Sequence, residues 1–153
     1  MNVAVVGLGR LGLPIAAAIA SRGIKVVGID NNPDVVKAIS QEKPLIYEPL
    51  LVETLQQAGG MFTATTDLSK VADTTIIIIL VPTPSKLDGS FTSRYVVDVC
   101  RDLVPYIKDS YHIVIVASTL MPGSCAGEIS EVFRAAGLEI GKDLGICYCP
   151  CGS

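Results

Sequence analysis

The 153 residues carry a formal net charge of −3; half are hydrophobic and 18% are charged. That balance leaves no electrostatic footprint for nucleic acid or an anionic membrane. The longest apolar runs, Leu13 to Ala20 and Ile76 to Pro82, fall short of the ~20 residues of a membrane-spanning helix. A chain of this length fits a single domain that buries roughly 68–70% of the surface its unfolded form exposes. Its apolar content points to a sheet covered on both faces. The N-terminus lacks the basic head, apolar stretch and small-residue cleavage site of a secretory leader, and a cytoplasmic location is the expectation.

In chain order, Asn2 to Val6 reads as a buried strand leading into Gly7-Leu8-Gly9-Arg10-Leu11-Gly12. Glycines at this spacing, after a strand and at the start of a helix, let the backbone turn sharply and approach a pyrophosphate at the helix N-terminus. The helix is expected to run to about Arg22, with Pro14 tolerated in its first turn. The small residues Ala16, Ala17, Ala18 and Ala20 let it lie close to a sheet, and Gly23 closes it. Ile24 to Ile29 is the second strand. Asp30 follows at its carboxyl end, near the spacing of a ribose-binding acid. A carboxylate there accepts bonds from both ribose hydroxyls and repels a 2′-phosphate, and Asn31, Asn32, Pro33 and Asp34 bring no cation, so NAD is favoured over NADP. Asn32 suits the cap of the next helix, Pro33 to about Gln41, with Pro33 at its first position.

Lys43 to Pro49 is a proline-bounded insertion, followed by a helix to Ala58 and the breakers Gly59 and Gly60. Tyr47 and Glu48 belong either to the mouth of a site or to a plain turn. Met61 to Thr65 is the third strand, and Asp67 or Ser69 caps a short helical turn. Thr75 to Val81, with four successive isoleucines, reads as a central strand buried on both faces. Pro82-Thr83-Pro84 leaves it, Asp88-Gly89 forms a turn, and Tyr95, Val96, Val99, Cys100, Leu103 and Val104 make one apolar face of a helix over Thr92 to Ile107. His112 to Ala117 is the fifth strand, ending in Ser118-Thr119-Leu120-Met121-Pro122-Gly123. Ser124 is expected to cap a helix to Ala136, and Leu144 to Cys149 is the sixth strand.

This alternation predicts an α/β fold: one Rossmann-type, doubly wound parallel sheet of about six strands. In strand order 3-2-1-4-5-6, the first and fourth strands part company and open a crevice at their carboxyl ends. Gly7 to Gly12, Asp30, Val81 to Pro84 and Ser118 to Gly123 all converge on that edge. The five cysteines are Cys100, Cys125, Cys147, Cys149 and Cys151. Being odd in number, they form no disulfide framework. The run Cys147, Cys149, Cys151 falls on one strand face and lacks a fourth ligand for a metal, so no metal is expected. Cys125 lies near a helix start without a flanking cation and reads as a packing or surface residue. His112, the single histidine, reads as structural.

Five co-linear motifs carry a resemblance over nearly the whole chain. Gly7 to Ala16, Pro44-Leu45-Ile46-Tyr47-Glu48-Pro49-Leu50-Leu51, Val81-Pro82-Thr83-Pro84, Asp88-Gly89-Ser90 and Ser118 to Gly123 resemble the N-terminal NAD-binding domain of UDP-glucose/GDP-mannose dehydrogenases, including the UDP-N-acetylmannosamine dehydrogenases. In that family NAD takes hydride twice from a nucleotide sugar's primary alcohol, giving a uronic acid through a cysteine thioester. The resemblance implies that Gly7, Gly9, Leu11 and Gly12 cradle the pyrophosphate, that Asp30 holds the adenosine ribose, and that Val81, Pro82 and Thr83 meet the middle of the cofactor. Ser118 and Thr119 would lie at the far end, with Thr119 beside the nicotinamide as the candidate catalytic residue.

Arg10 stands where the family often has an aromatic residue, and reaches either toward phosphate or to solvent. Cys151 follows Pro150 where the family continues with glutamate. The family's central-helix lysine and catalytic thiol have no counterpart here. The resemblance therefore implies that residues 1–153 are the NAD-binding part of a longer homodimeric enzyme, binding NAD without turnover by themselves. The alternatives are a 3-hydroxyacid-type NAD dehydrogenase domain and a stand-alone NAD-binding module.

Overall fold

The first strand, β1 (Asn2–Val6), sends Val3 and Val5 to one face of a sheet and Ala4 and Val6 to the other, and all four are buried. Two hydrophobic clusters result, one on each side. This is the signature of a parallel sheet whose crossover helices cover both faces. The computed structural model describes residues 1–151, so the last two positions of the expected 1–153 domain lie outside the described residues. The remaining strands are β2 (Lys25–Ile29), β3 (Phe62–Thr65), β4 (Ile76–Ile79), β5 (His112–Val116) and β6 (Leu144–Tyr148). All pairings are parallel, in the order β3-β2-β1-β4-β5-β6. The reversal between β1 and β4 is the predicted crevice.

Helices α1 (Gly12–Ala20), α2 (Pro33–Ser40) and α3 (Leu51–Ala58) cover the face bearing Val3 and Val5. Helices α4 (Arg94–Leu103) and α5 (Ser130–Ala135) cover the other, together with a 3-10 turn at Leu68–Asp73. The isoleucines of β4 divide between the clusters: Ile77 and Ile79 are fully buried under α4 and α5, while Ile76 and Ile78 pack less completely on the α1 side.

Several boundaries differ from the sequence expectation. The α1 helix stops at Ala20, not near Arg22, because its end tightens into 3-10 bonds, Arg22 N–H to Ile19 O and Gly23 N–H to Ala20 O. Asn32 caps α2 as expected, its side chain accepting the Asp34 N–H at 3.0 Å, and Asp67 does the same for Ser69. Ser124 caps nothing, since its own backbone is already helical. The segment opens instead with a π-helical turn at Cys125–Ile129, broken at Gly127, and Ser130 Oγ donates to Cys125 O at 2.7 Å. Helix α5 is correspondingly short.

Candidate functional site

The loop between β1 and α1 has three glycines, each there for a different reason. Gly7 sits at φ +97°, and a Cβ on it would fall 2.2 Å from Leu80 O. A Cβ on Gly12 would fall 1.8 Å from Gly7 O, so the loop can fold back on itself only without one. Gly9 faces open space, with no atom within 4 Å of where its Cβ would stand. Among the described residues the N–H groups of Gly9, Arg10, Leu11 and Gly12 have no acceptor within the chain. These are the orphan donors of a helix start, and they suit an anion.

Asp30, at the carboxyl end of β2, is wired into that loop. Its Oδ2 accepts the Leu8 N–H at 2.8 Å and its Oδ1 accepts the Asn32 N–H at 2.9 Å. Each carboxylate oxygen keeps a second lone pair for a ligand hydroxyl. Leu8 itself is buried over Gly28, where a Cβ would press on its side chain at 2.8 Å. The carboxylate and the glycine loop are thus one rigid unit.

At the opposite end, Ser118 closes the gap between the ends of β4 and β5. Its hydroxyl donates to Val81 O at 2.7 Å and accepts the Val81 N–H at 2.9 Å. This doubly engaged hydroxyl shapes the segment Val81-Pro82-Thr83. Thr119, the next residue, is exposed, and its side chain makes no hydrogen bond among the described residues.

These elements enclose one cleft of about 1070 Å³. Every residue expected to meet the cofactor lines it: Gly7, Gly9, Arg10, Leu11 and Gly12 on one wall, Asp30 at one end, and Val81, Pro82, Thr83, Ser118 and Thr119 on the other side. The cleft is large enough to take an extended organic ligand.

Residues 1–151 match the family model described as "UDP-glucose/GDP-mannose dehydrogenase family, NAD binding domain". The chain belongs to this family. It is 33% identical over 156 residues to the GDP-mannose 6-dehydrogenase of Pseudomonas syringae pv. tomato, covering 98% of this chain and 36% of that protein. It is 32% identical to the UDP-glucose 6-dehydrogenase AglM of Haloferax volcanii, covering 98% and 36%. A solved ternary complex of the Pseudomonas aeruginosa GDP-mannose dehydrogenase superposes with a TM-score of 0.92 at 33% identity, over 98% of this chain and 36% of that one. The chain thus spans about a third of the length of the curated relatives it matches.

As a UDP-glucose/GDP-mannose dehydrogenase NAD-binding domain, the chain takes NAD as its cofactor, and the donors fit. The unpaired backbone N–H groups of the glycine loop suit an anion such as a pyrophosphate, and the Asp30 carboxylate keeps acceptor capacity for hydroxyls such as those of a ribose. Arg10 is exposed at the cleft rim with no ion pair among the described residues.

Some cleft residues escaped the sequence reading. Tyr95, Asp98, Val99 and Asp102 of α4 line it at the i, i+3, i+4, i+7 spacing of one helix face. The apolar periodicity puts Tyr95 and Val99 on one face of the helix; Val99 does pack, partly buried, against the core while reaching the cleft, whereas Tyr95 is 48% exposed. The two faces of α4 overlap there. Leu68, from the 3-10 turn, and Cys151 also contribute. Tyr47 and Glu48 do not: they line a separate hollow of about 420 Å³ inside the insertion.

The remaining reactive groups stand apart from this chemistry. Burial pushes the Cys100 thiol up to about 12, and the Cys125 thiol is raised by burial and then by the neighbouring Cys147. Neither is an activated nucleophile. Among the described residues no three of His, Cys, Asp and Glu are grouped to hold a metal ion. His112 is fully buried at the start of β5, with Nε2 2.8 Å from Ser110 Oγ. No helix among the described residues is long and apolar enough to cross a membrane.

Proposed function

We propose that the protein carrying this chain is a nucleotide-sugar 6-dehydrogenase, oxidising the primary alcohol of a UDP- or GDP-sugar to the uronate in two NAD-dependent steps. The observation that carries the reading is the convergence of Asp30, the glycine loop and Thr119 on one cleft, in a chain similar to enzymes of that activity. Bound NAD accepts the hydride from the alcohol carbon; the rest of the work assigned to this chain is binding and orientation. Asp30 takes the adenosine ribose, and its charge disfavours a 2′-phosphate. The N–H groups of Gly9, Arg10, Leu11 and Gly12 take the pyrophosphate, with Gly7 supplying the turn and Arg10 adding charge at the rim.

Val81, Pro82 and Thr83 pass along the middle of the cofactor, shaped by Ser118. Thr119 stands beside the nicotinamide, where a hydroxyl both donates and accepts and so orients a substrate oxygen or a water. The sugar nucleotide is held mainly by parts of the protein outside these 153 residues, which also supply the thiol nucleophile and the homodimer contact. The protein works in the cytoplasm, and this chain by itself binds NAD without turnover.

Calorimetric titration of this chain is expected to show NAD binding and much weaker NADP binding. The whole protein is expected to form about two NADH per sugar with one of GDP-mannose, UDP-glucose or UDP-N-acetylmannosamine. No NAD binding, or one NADH per sugar with release of an aldehyde, overturns the proposal.

A further inference from the structure

Thr119 is bracketed by two long-range side-chain hydrogen bonds. On its N-terminal side, Ser118 is clipped to Val81 through both N–H and C=O, 37 residues away. On its C-terminal side, the Leu120 N–H donates to the phenol oxygen of Tyr148 at 3.1 Å, across 28 residues. The peptide plane joining Thr119 to Leu120 contains that N–H, so the Tyr148 bond restrains this plane and, together with the Ser118 clip on the other side, the direction of the Thr119 Cα–Cβ bond. Among the described residues the Leu120 N–H has no other acceptor.

Tyr148 is well placed for this task. It lies at the end of β6, paired in register with Val116 of β5, and pairing continues beyond it through Cys149 N–H to Val116 O at 3.0 Å. The phenol therefore projects from a fixed strand onto a loop without regular secondary structure. From Leu120 to Gly123 that loop has no strand or helix of its own, and Leu120 anchors it by packing its side chain into the core.

We propose that Tyr148 is a positioning residue for the nicotinamide end of the cleft, acting through Leu120 on Thr119. This rests on the reading of Thr119 as the residue beside the nicotinamide. It predicts that losing the phenol oxygen harms recognition of the nicotinamide half of NAD and leaves the ADP-ribose half untouched, because Asp30 and the glycine loop are held by separate bonds.

The test is calorimetric binding of NAD and of ADP-ribose to the wild-type chain, Tyr148→Phe and Thr119→Ala, with hydrogen exchange at the Leu120 amide as a local readout. Tyr148→Phe keeps the ring and removes only the acceptor. It is expected to speed Leu120 exchange and to weaken NAD by roughly three- to tenfold, the effect of one lost hydrogen bond, with ADP-ribose affinity unchanged. Equal losses for both ligands, or an unchanged NAD affinity, overturn the proposal. Thr119→Ala separates the two readings. If it lowers NAD relative to ADP-ribose while Tyr148→Phe does not, the positioning role alone fails. If Thr119→Ala leaves that ratio unchanged, the placement of Thr119 fails and the positioning role with it.

Discussion

The Asp30 carboxylate accepts the Leu8 N–H at 2.8 Å across 22 residues of sequence, tying the end of β2 to the glycine loop that follows β1. The residue proposed to bind the ribose therefore also holds in shape the loop proposed to bind the pyrophosphate. Replacing it removes a ligand contact and leaves the Leu8 amide without its acceptor. Asp30→Ala is expected to weaken NAD by more than about tenfold, the scale of a hydrogen bond to a charged group, and to lower the melting temperature as well. Calorimetry and thermal unfolding read the two effects separately; unchanged affinity would contradict the assignment.

Gly9 and Gly12 are expected to fail in different ways. Gly9 faces open space, so Gly9→Ala should fold normally and lose NAD affinity, because the added methyl enters the volume assigned to the pyrophosphate. Gly12→Ala places a methyl 1.8 Å from Gly7 O, so the loop must move and stability falls along with binding. The contrast is read by comparing melting temperature with NAD affinity for the two variants.

Ser118→Ala deprives both polar groups of the Val81 backbone of a partner in a partly buried setting. A loss of about 1–3 kcal/mol is expected, which for a chain of this size lowers the melting temperature by roughly 3–10 °C. Ser118→Thr preserves the hydroxyl and should recover most of that loss. Chemical denaturation of the three proteins provides the check.

Burial pulls the His112 imidazole below its ordinary value, opposed in part by the Thr74 backbone. Well above pH ~6.5 the ring is neutral in both folded and unfolded chains. As pH falls below that, the unfolded chain gains a proton that the folded chain resists, so stability declines until the lower folded value is passed. The chain has one histidine, which assigns to it the decline between about pH 6.5 and 5. Urea unfolding across this window should show the slope, and His112→Gln should flatten it.

Much of the fold was legible because its signals are local. The apolar run of β1, the alanine face of α1, Asn32 before Pro33 and the isoleucine run of β4 each state their environment within a few residues. The cleft was legible too, because a parallel αβ sheet puts every strand's carboxyl end on one edge, and the strand-end candidates, from the glycine loop and Asp30 to Val81–Thr83, Ser118 and Thr119, all reach it, whereas Tyr47 and Glu48 of the insertion do not. Less legible was the helix after Ser124, where a serine in a capping position turned out to have helical backbone and the π-helical turn at Cys125–Ile129 left only a short α5.

By itself, the sequence determined which residues could form a dinucleotide edge: glycines at the spacing of a phosphate-binding loop, a carboxylate at a strand end, and a hydroxyl at the end of β5. Only the tertiary structure decided how those residues are held. Leu8 with Asp30, Val81 with Ser118 and Leu120 with Tyr148 are separated by 22, 37 and 28 residues. Such pairs leave no periodic trace, because a strand's own pattern records which face is buried and not which neighbour its end will meet. The order β3-β2-β1-β4-β5-β6 brings them together, and the hydrogen bonds that result turn a set of suitable residues into a rigid cleft.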